Sequence, residues 1–272
     1  MRSLARRLLP ARLRRLLREI QRELPHRARD FPADLRGRLL RRPERLPPAW
    51  LRRRVGLTSS RAEFIEVGER AVADIVRAYR AAKPNPADDG RWLDFGCGAG
   101  RMLAPLRQAG IRNVWGVDVD RDAVRWLQGR FGKERFHQSA PMPPLPFPDA
   151  SFDVVLAVSV FSHLDASGQL AWLAEISRLL RPGGLLIAST HGADLLVTRS
   201  DLKPEQIEGF RASGFLFAAG GGPFNEGSAF HAPDYLARTW GTWFECRVSL
   251  PRGLTGYQDL TVWQSRLARN SL

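Results

Sequence analysis

The chain has 272 residues, of which 44% are apolar, and it carries a net charge of +14 with two cysteines. That length suits one large α/β domain with an appendage or two small domains, and the apolar fraction is sufficient for a real core. The longest uncharged apolar run covers residues 154–161, far short of the roughly 20 residues that span a bilayer. The N-terminus lacks the uninterrupted apolar segment of an export signal. We therefore expect a cytoplasmic protein in which Cys97 and Cys246 are free thiols that bind no metal.

Positive charge is concentrated in residues 1–56, which contain eighteen arginines and no lysine against five acidic residues, a net charge of +13. Between residues 10 and 24, leucine and isoleucine recur at helical spacing while arginines cover most of the other face. Prolines then break the chain into a basic linker, and we assign residues 1–49 to this arm. The arm suits docking on an anionic membrane surface or a polyanion, which would make the protein peripheral to a membrane. The alternative is a helix packed on its own protein with a solvated basic face.

The main domain is predicted to occupy residues 50–272. Its first helix begins at Ser59 or Ser60, both suitable N-caps, carries an apolar stripe and ends before Pro84. The helix leads into the sequence WLDFGCGAGR at residues 92–101, which organises the rest of the chain.

This central stretch combines a short apolar strand, an acidic residue at its end (Asp94) and three alternate glycines (Gly96, Gly98 and Gly100). Glycines at that spacing let the backbone turn sharply and approach a ligand closely, because no Cβ blocks a positive φ. A strand that runs into such a loop and then into a helix is typical of the nucleotide-binding corner of an open α/β sheet.

Strands and helices alternate after the glycine loop. We predict helices over residues 102–108, 122–131 and 162–180. The strands that follow the first one are predicted over residues 114–120, 135–138, 152–161 and 185–190. The RPGG sequence between the last helix and the last strand is interpreted as the end of the helix. This alternation predicts a doubly wound parallel sheet.

The C-terminal third differs in composition, with a glycine cluster and scattered aromatic residues in 191–232. We predict that residues 191–240 form a lid over the substrate, with a helix from Pro233 to Trp240. Two extended runs follow, FECRVSL and QDLTVWQ, and indicate a hairpin-like pair at the edge of the sheet.

The second strand brings another acidic residue to the glycine loop. Asp118 lies 18 residues past Gly100, where a carboxylate can accept both ribose hydroxyls of a dinucleotide or of S-adenosylmethionine. A dinucleotide loop needs a small residue where this chain has Arg101. A carboxylate at Asp94 would also repel a pyrophosphate and attract an ammonium or sulfonium group. These features favour S-adenosylmethionine.

Four stretches, WLDFGCGAGR, GVDVD, LPFPDASFDVVLAVSVFSHL and LLRPGGLLIAST, together resemble the class I S-adenosylmethionine-dependent methyltransferases. The resemblance covers roughly residues 50–265 and excludes the basic arm. It implies a Rossmann-like doubly wound sheet of seven strands with an antiparallel last strand.

The resemblance also implies the site. Asp94, Gly96, Gly98 and Gly100 would surround the methionine part of the cofactor. Asp118 would hold the ribose with Val119 against the adenine, and Ser139 stands where the family commonly has an acid. Residues from Ser159 to His163 would border the transferred methyl group.

Two histidines, His163 and His191, follow strands at the edge where open α/β sheets bind ligands. Either could act as a base for a hydroxyl or amine acceptor, or simply hydrogen-bond a loop. We expect a small-molecule acceptor, a sugar or other secondary metabolite, methylated on oxygen. The chain has neither an Asn/Asp-Pro-Pro-aromatic tetrapeptide nor a Pro-Cys nucleophile, which argues against methylation of DNA bases.

Two other classes of protein stay open at this point. One is an NAD-type oxidoreductase, against which Arg101 and the terminal hairpin speak. The other is a non-catalytic cofactor-binding or scaffold protein that docks on a membrane or polyanion through its basic arm.

Overall fold

The computed structural model describes residues 46–56, 60–83, 90–220 and 227–266. The predicted amphipathic helix of the arm and most of its linker lie outside these residues. The chain divides into two units, residues 1–64 and 65–272. In the first, helix α1 spans Ala49–Gly56. Helix α2, Arg61–Ala82, starts after Ser60, whose hydroxyl accepts the N–H of Glu63 at 3.3 Å, as an N-cap does.

The second unit is built on a seven-stranded sheet of β1 (Trp92–Phe95), β2 (Val114–Asp118), β3 (Phe136–Gln138), β4 (Phe152–Ala157), β5 (Leu180–Thr190), β8 (Phe244–Leu254) and β9 (Gln258–Ser265). Their order in the sheet is β3-β2-β1-β4-β5-β9-β8. Strands β1 to β5 pair in parallel, and β9 is antiparallel to both of its neighbours. This confirms the predicted doubly wound sheet, its antiparallel last strand and the edge hairpin.

Apolar side chains alternate between the two faces of the sheet, as strand geometry requires. Trp92, Val154 and Leu185 pack with residues of α2 on one face. Their neighbours in sequence, exemplified by Leu93 and Val155, pack on the other. The covering helices are α3 (Leu103–Gln108), α4 (Arg121–Phe131) and α5 (Ala166–Leu179). In the part of the chain that is described, no helix is long and apolar enough to cross a membrane.

The sequence pattern predicts that RPGG ends a helix, and this prediction is wrong. RPGG is part of β5. Helix α5 ends at Leu179, and Leu180 already pairs with Phe152 of β4. The next paired residue of β5 is Leu185, opposite Val154, so residues 181–184 form an irregularity in the strand. Gly183 has a φ of +74° there, which a glycine adopts readily. The extra residues are thus absorbed inside the strand.

An insertion joins β5 to β8. It contains a 3₁₀ turn (Ala193–Thr198), α6 (Pro204–Ser213), a hairpin of β6 (Phe215–Ala219) and β7 (Gly227–His231), and α7 (Pro233–Thr239). The sequence predicted only the last of these. In α6 only Phe210 is buried, so that helix has no apolar periodicity to detect.

Gly68 lies inside α2, where glycine normally weakens a helix. A Cβ at this position would lie 2.6 Å from the backbone oxygen of Arg101. We expect Gly68→Ala to destabilise the protein by about 1–3 kcal/mol, because backbone must move to relieve the overlap. Gly129→Ala in α4, where the added Cβ meets nothing within 4 Å, should instead stabilise by up to about 1 kcal/mol. Urea unfolding of both variants measures the difference, and a stabilised Gly68→Ala protein would contradict the packing argument.

Candidate cofactor and acceptor site

The glycine loop turns away from the end of β1 with three left-handed glycines. The φ angles of Gly96, Gly98 and Gly100 are +83°, +50° and +79°. A Cβ on Gly96 would lie 2.4 Å from Cγ2 of Val160, in the loop after β4. Position 96 therefore requires glycine both for its backbone angle and for the close approach of a neighbouring loop.

Asp118 fixes this loop from the end of β2. One carboxylate oxygen accepts the N–H of Gly98 at 2.7 Å, and the other accepts the N–H of Asp120 at 2.7 Å. Each oxygen of an ionised carboxylate has a further lone pair, so both can still accept a hydroxyl. The side chain can thus hold the loop and bind a diol at the same time.

Asp94 is completely buried, and neither of its carboxylate oxygens has a hydrogen-bond partner among the described residues. Burial, reinforced by the charge of Asp118, raises the pKa of Asp94 to about 7, against the opposing effect of Arg101. A buried carboxylate without a partner is unfavourable, and a cationic ligand would relieve it.

Two further predicted residues lie beside Asp118. The side chain of Val119 is 37% exposed, so an apolar surface is presented next to the acid. The N–H of Ser139 donates to the backbone oxygen of Asp118 at 2.9 Å, which places the end of β3 at the same edge. The structure thus brings together Asp94, the three glycines, Asp118, Val119 and Ser139.

The predicted acceptor-side residues follow β4 and β5. Ser159 has a φ of +56°, a left-handed conformation that is unusual for serine. The rings of His163 and His191 lie with their centroids 6.0 Å apart, and the ring of Tyr257 lies 6.0 Å from that of His191. Phe230 of β7 contacts His191 at 5.5 Å between centroids. Aromatic and imidazole rings thus surround His191.

The two histidines differ in chemistry. Nδ1 of His163 lies 2.9 Å from the carbonyl oxygen of Gly227. Because a carbonyl only accepts, Nδ1 carries the hydrogen, and Nε2 of the neutral ring carries the free lone pair. Burial lowers the pKa of His191 to about 4, and the nearby His163 and Arg199 side chains disfavour a further positive charge there. His191 is therefore neutral at physiological pH and a poor proton acceptor.

The insertion is fastened to this site through β7. The N–H of His231 donates to the backbone oxygen of His191 at 2.9 Å. The buried His231 ring also hydrogen-bonds the amide of Gln169 in α5, with Nε2 atoms 2.9 Å apart. Burial lowers the pKa of His231 to about 3, so it serves as a neutral anchor.

Sequence reasoning missed three residues of this region, Ser189, Tyr257 and Gln258. Ser189 and Gln258 hydrogen-bond to each other and to Ser159. Their proximity depends on the antiparallel pairing of β5 with β9, whose register a single sequence does not specify. The only available signal was that Ser189 precedes His191 by two residues, on the same face of a strand.

Comparison with known proteins supports the same class. Residues 93–188 match the family model of a methyltransferase domain. A probable S-adenosylmethionine-dependent methyltransferase of Mycobacterium tuberculosis is 35% identical over 144 residues, 49% of this chain and 50% of that protein. An O-methyltransferase of Penicillium expansum is 31% identical over 134 residues, 47% of this chain and 46% of that protein. The chain spans about half the length of the curated relatives it matches.

A solved S-adenosylmethionine-dependent methyltransferase of Methanosarcina mazei shares the fold, with a TM-score of 0.51 at 19% identity, covering 71% of this chain and 97% of that one. The strand order and the glycine loop therefore define a Rossmann-like methyltransferase domain. Residues 93–188, which match the model of a methyltransferase domain, and the fold around them support the class I S-adenosylmethionine-dependent methyltransferase family, as the sequence resemblance implied. The cofactor of this family is S-adenosylmethionine, and the buried carboxylate of Asp94, which has no partner among the described residues, fits its cationic methionine part.

Proposed function

We propose that this protein transfers the methyl group of S-adenosylmethionine to a hydroxyl oxygen of a small molecule. The observation that carries the proposal is the buried Asp94 carboxylate, which has no partner among the described residues and lies at the end of the strand that leads into the glycine loop. The O-methyltransferase of Penicillium expansum among its relatives supports oxygen as the accepting atom.

In this proposal the cofactor supplies an electrophilic methyl group on a sulfonium. Asp94 faces the ammonium of its methionine part, and the glycine backbone lets that part lie close to β1. Asp118 accepts the ribose hydroxyls while holding Gly98. Val119 covers the adenine, and Ser139 lies beside it. Holding nucleophile and methyl group in line supplies about 7–11 kcal/mol of the barrier reduction, which makes positioning the main task of these residues.

The acceptor side needs a group that takes the hydroxyl proton. Of the two candidates, His163 is the proposed base, because its Nε2 lone pair is available while Gly227 holds Nδ1. His191 acts as a neutral ring that contacts the acceptor without taking its proton. Ser159 borders the position of the transferred methyl.

The proposal is tested by calorimetric titration of the full chain with S-adenosylhomocysteine, with NAD as the control. We expect binding of S-adenosylhomocysteine alone. Binding of NAD alone would replace the proposal by an oxidoreductase. Binding of neither would leave a scaffold protein and overturn the proposal.

The role assigned to His191 predicts how its ring titrates. His191 should stay neutral down to about pH 4 in the folded protein, because burial disfavours its charged form. NMR titration of the imidazole resonances, assigned with the His191→Gln variant, measures this. A His191 pKa near the ordinary value of 6.5 would contradict the assignment and make His191 the better base.

We also propose that the basic arm attaches the protein to an anionic surface, on the ground of the net charge of +13 in residues 1–56. Deletion of residues 1–45 should then leave S-adenosylhomocysteine affinity unchanged and reduce binding to phosphatidylserine vesicles and heparin. Retention that is equal before and after the deletion, with the truncated protein folded, would remove this role.

A further inference from the structure

Three polar side chains form a closed network between β4, β5 and β9. Gln258 Oε1 accepts the hydroxyl of Ser189 at 2.7 Å and that of Ser159 at 3.0 Å. The oxygen of Ser189 in turn accepts the backbone N–H of Ser159 at 2.8 Å. Ser189 is completely buried and Gln258 is 6% exposed. Oε1 of Gln258 thus holds the hydroxyl of Ser159 directly. It also holds Ser189, whose oxygen accepts the backbone N–H of Ser159.

The residue held by this network is in a strained conformation. Ser159 has a φ of +56°, which a non-glycine residue keeps only where its surroundings impose it. The next residue, Val160, places Cγ2 in the space where a side chain of Gly96 would project. The conformation of residue 159 therefore determines where Val160 packs against the glycine loop.

The position of Gln258 is itself fixed by α2. The backbone N–H of Thr255, in the turn before β9, donates to Asp74 Oδ2 at 2.7 Å. The backbone oxygen of Thr255 accepts a hydrogen bond from the Arg70 guanidinium at 3.2 Å. Arg77 pairs with the other oxygen of Asp74 at 2.7 Å. The turn is thus held to a long helix, which makes Gln258 a firm support for the loop after β4.

We propose that Gln258 is a positioning residue for the cofactor site: its side-chain oxygen holds Ser159 in the left-handed conformation, so that Val160 packs on Gly96. The inference rests on the proposed binding of the cofactor at the glycine loop. In this role Gln258 acts through its hydrogen bonds to Ser159 and Ser189 rather than by contact with the cofactor.

The test compares two substitutions of Gln258 by titration calorimetry with S-adenosylhomocysteine at pH 8. Gln258→Leu removes the acceptor of the buried Ser189 hydroxyl and of the half-buried Ser159 hydroxyl, and it should weaken binding about tenfold. Gln258→Glu keeps an acceptor oxygen in the same place and should bind within about threefold of the wild type. Near-wild-type affinity of Gln258→Glu would show that the accepting oxygen of residue 258 is what matters. It would exclude a requirement for the N–H groups of the glutamine amide.

Gln264→Leu is the matched control. Gln264 lies on the same strand, bonds Gly183 at 3.1 Å and accepts from Arg247, away from the loop after β4. Its substitution should leave the affinity unchanged. If Gln258→Leu does not fold, Ser189→Ala, which removes the acceptor of the Ser159 N–H, is expected to show the same tenfold loss.

The outcomes separate the two proposals. A wild-type protein that does not bind S-adenosylhomocysteine overturns the proposed function itself. A wild-type protein that binds, together with a Gln258→Leu or Ser189→Ala variant of equal affinity, overturns only the positioning role. A Gln258→Glu variant as weak as Gln258→Leu also overturns it, because the amide N–H groups would then be what matters.

Discussion

Replacement of Asp94 by asparagine should stabilise the cofactor-free protein above pH 7 and weaken its binding of S-adenosylhomocysteine by at least about tenfold. The carboxylate is buried without a partner among the described residues, so its charge is unfavourable until a cation arrives. An asparagine is neutral and removes that penalty. It also removes the attraction for the ammonium of the ligand.

The pH dependence of the wild type follows from the same group. The pKa of Asp94 is about 7 in the folded protein against 3.8 ordinarily. The folded state then binds more protons than the unfolded state between these values, so the contribution of Asp94 to stability is present below pH 4 and is lost as the pH rises to 7. Asp118, Arg101 and Cys97 are the titratable or charged neighbours in this electrostatic cluster. Asp94→Asn should flatten this part of the stability profile.

Ligand binding has the opposite dependence. The ammonium group needs the ionised carboxylate, so below pH 7 a proton must leave Asp94, and affinity should fall up to about tenfold per pH unit. Calorimetry at pH 6 and pH 8, in buffers of different ionisation enthalpy, measures both the affinity and the protons released. The control is Asp153→Asn, because Asp153 pairs with Arg181 at 2.8 Å near the start of β4. Equal wild-type affinity at the two pH values would refute the role of Asp94.

Asp118→Ala should weaken the binding of S-adenosylhomocysteine by about 3 kcal/mol, or roughly a hundredfold. The substitution removes the acceptor of the ribose hydroxyls and also leaves the N–H groups of Gly98 and Asp120 without their partner. Asp118→Asn, which retains one acceptor oxygen, should have an intermediate effect. Fluorescence or calorimetric titration measures the series.

The matched control for Asp118 is Asp149→Ala, since Asp149 is 78% exposed and pairs with Arg178 on the surface. Its affinity should equal that of the wild type. Unchanged affinity of Asp118→Ala would remove Asp118 from the site and, with it, the proposed orientation of the ribose.

The parallel part of the fold could be predicted because buried strands and amphipathic helices leave strong periodic patterns. The strand at 152–157 is a nearly continuous apolar run, as strands covered on both faces are. The RPGG sequence was misassigned because proline and glycine are also the usual helix terminators. Only the pairing of Leu180 with Phe152 shows that the strand has already begun there.

Some features of the candidate site also have a local sequence signal, and others do not. Asp94 directly precedes the glycine loop in sequence, and Asp118 ends the next parallel strand. The sequence therefore predicted that both carboxylates lie near the loop. The tautomer of His163 depends on Gly227, and the neutrality of His191 depends on burial by the insertion. Gln258 depends on strand register. These features arise from tertiary contacts between distant segments, which have no local sequence signal.

The path of the insertion has an evolutionary consequence. It leaves the sheet at Thr190 and returns at Phe244, and it contributes no strand to the seven-stranded order. Strand β9 pairs directly with β5, so no strand of the insertion lies between them in the sheet. We therefore expect variation of the acceptor side to fall within this one contiguous stretch, while Asp94 and Asp118 are encoded elsewhere in the sequence.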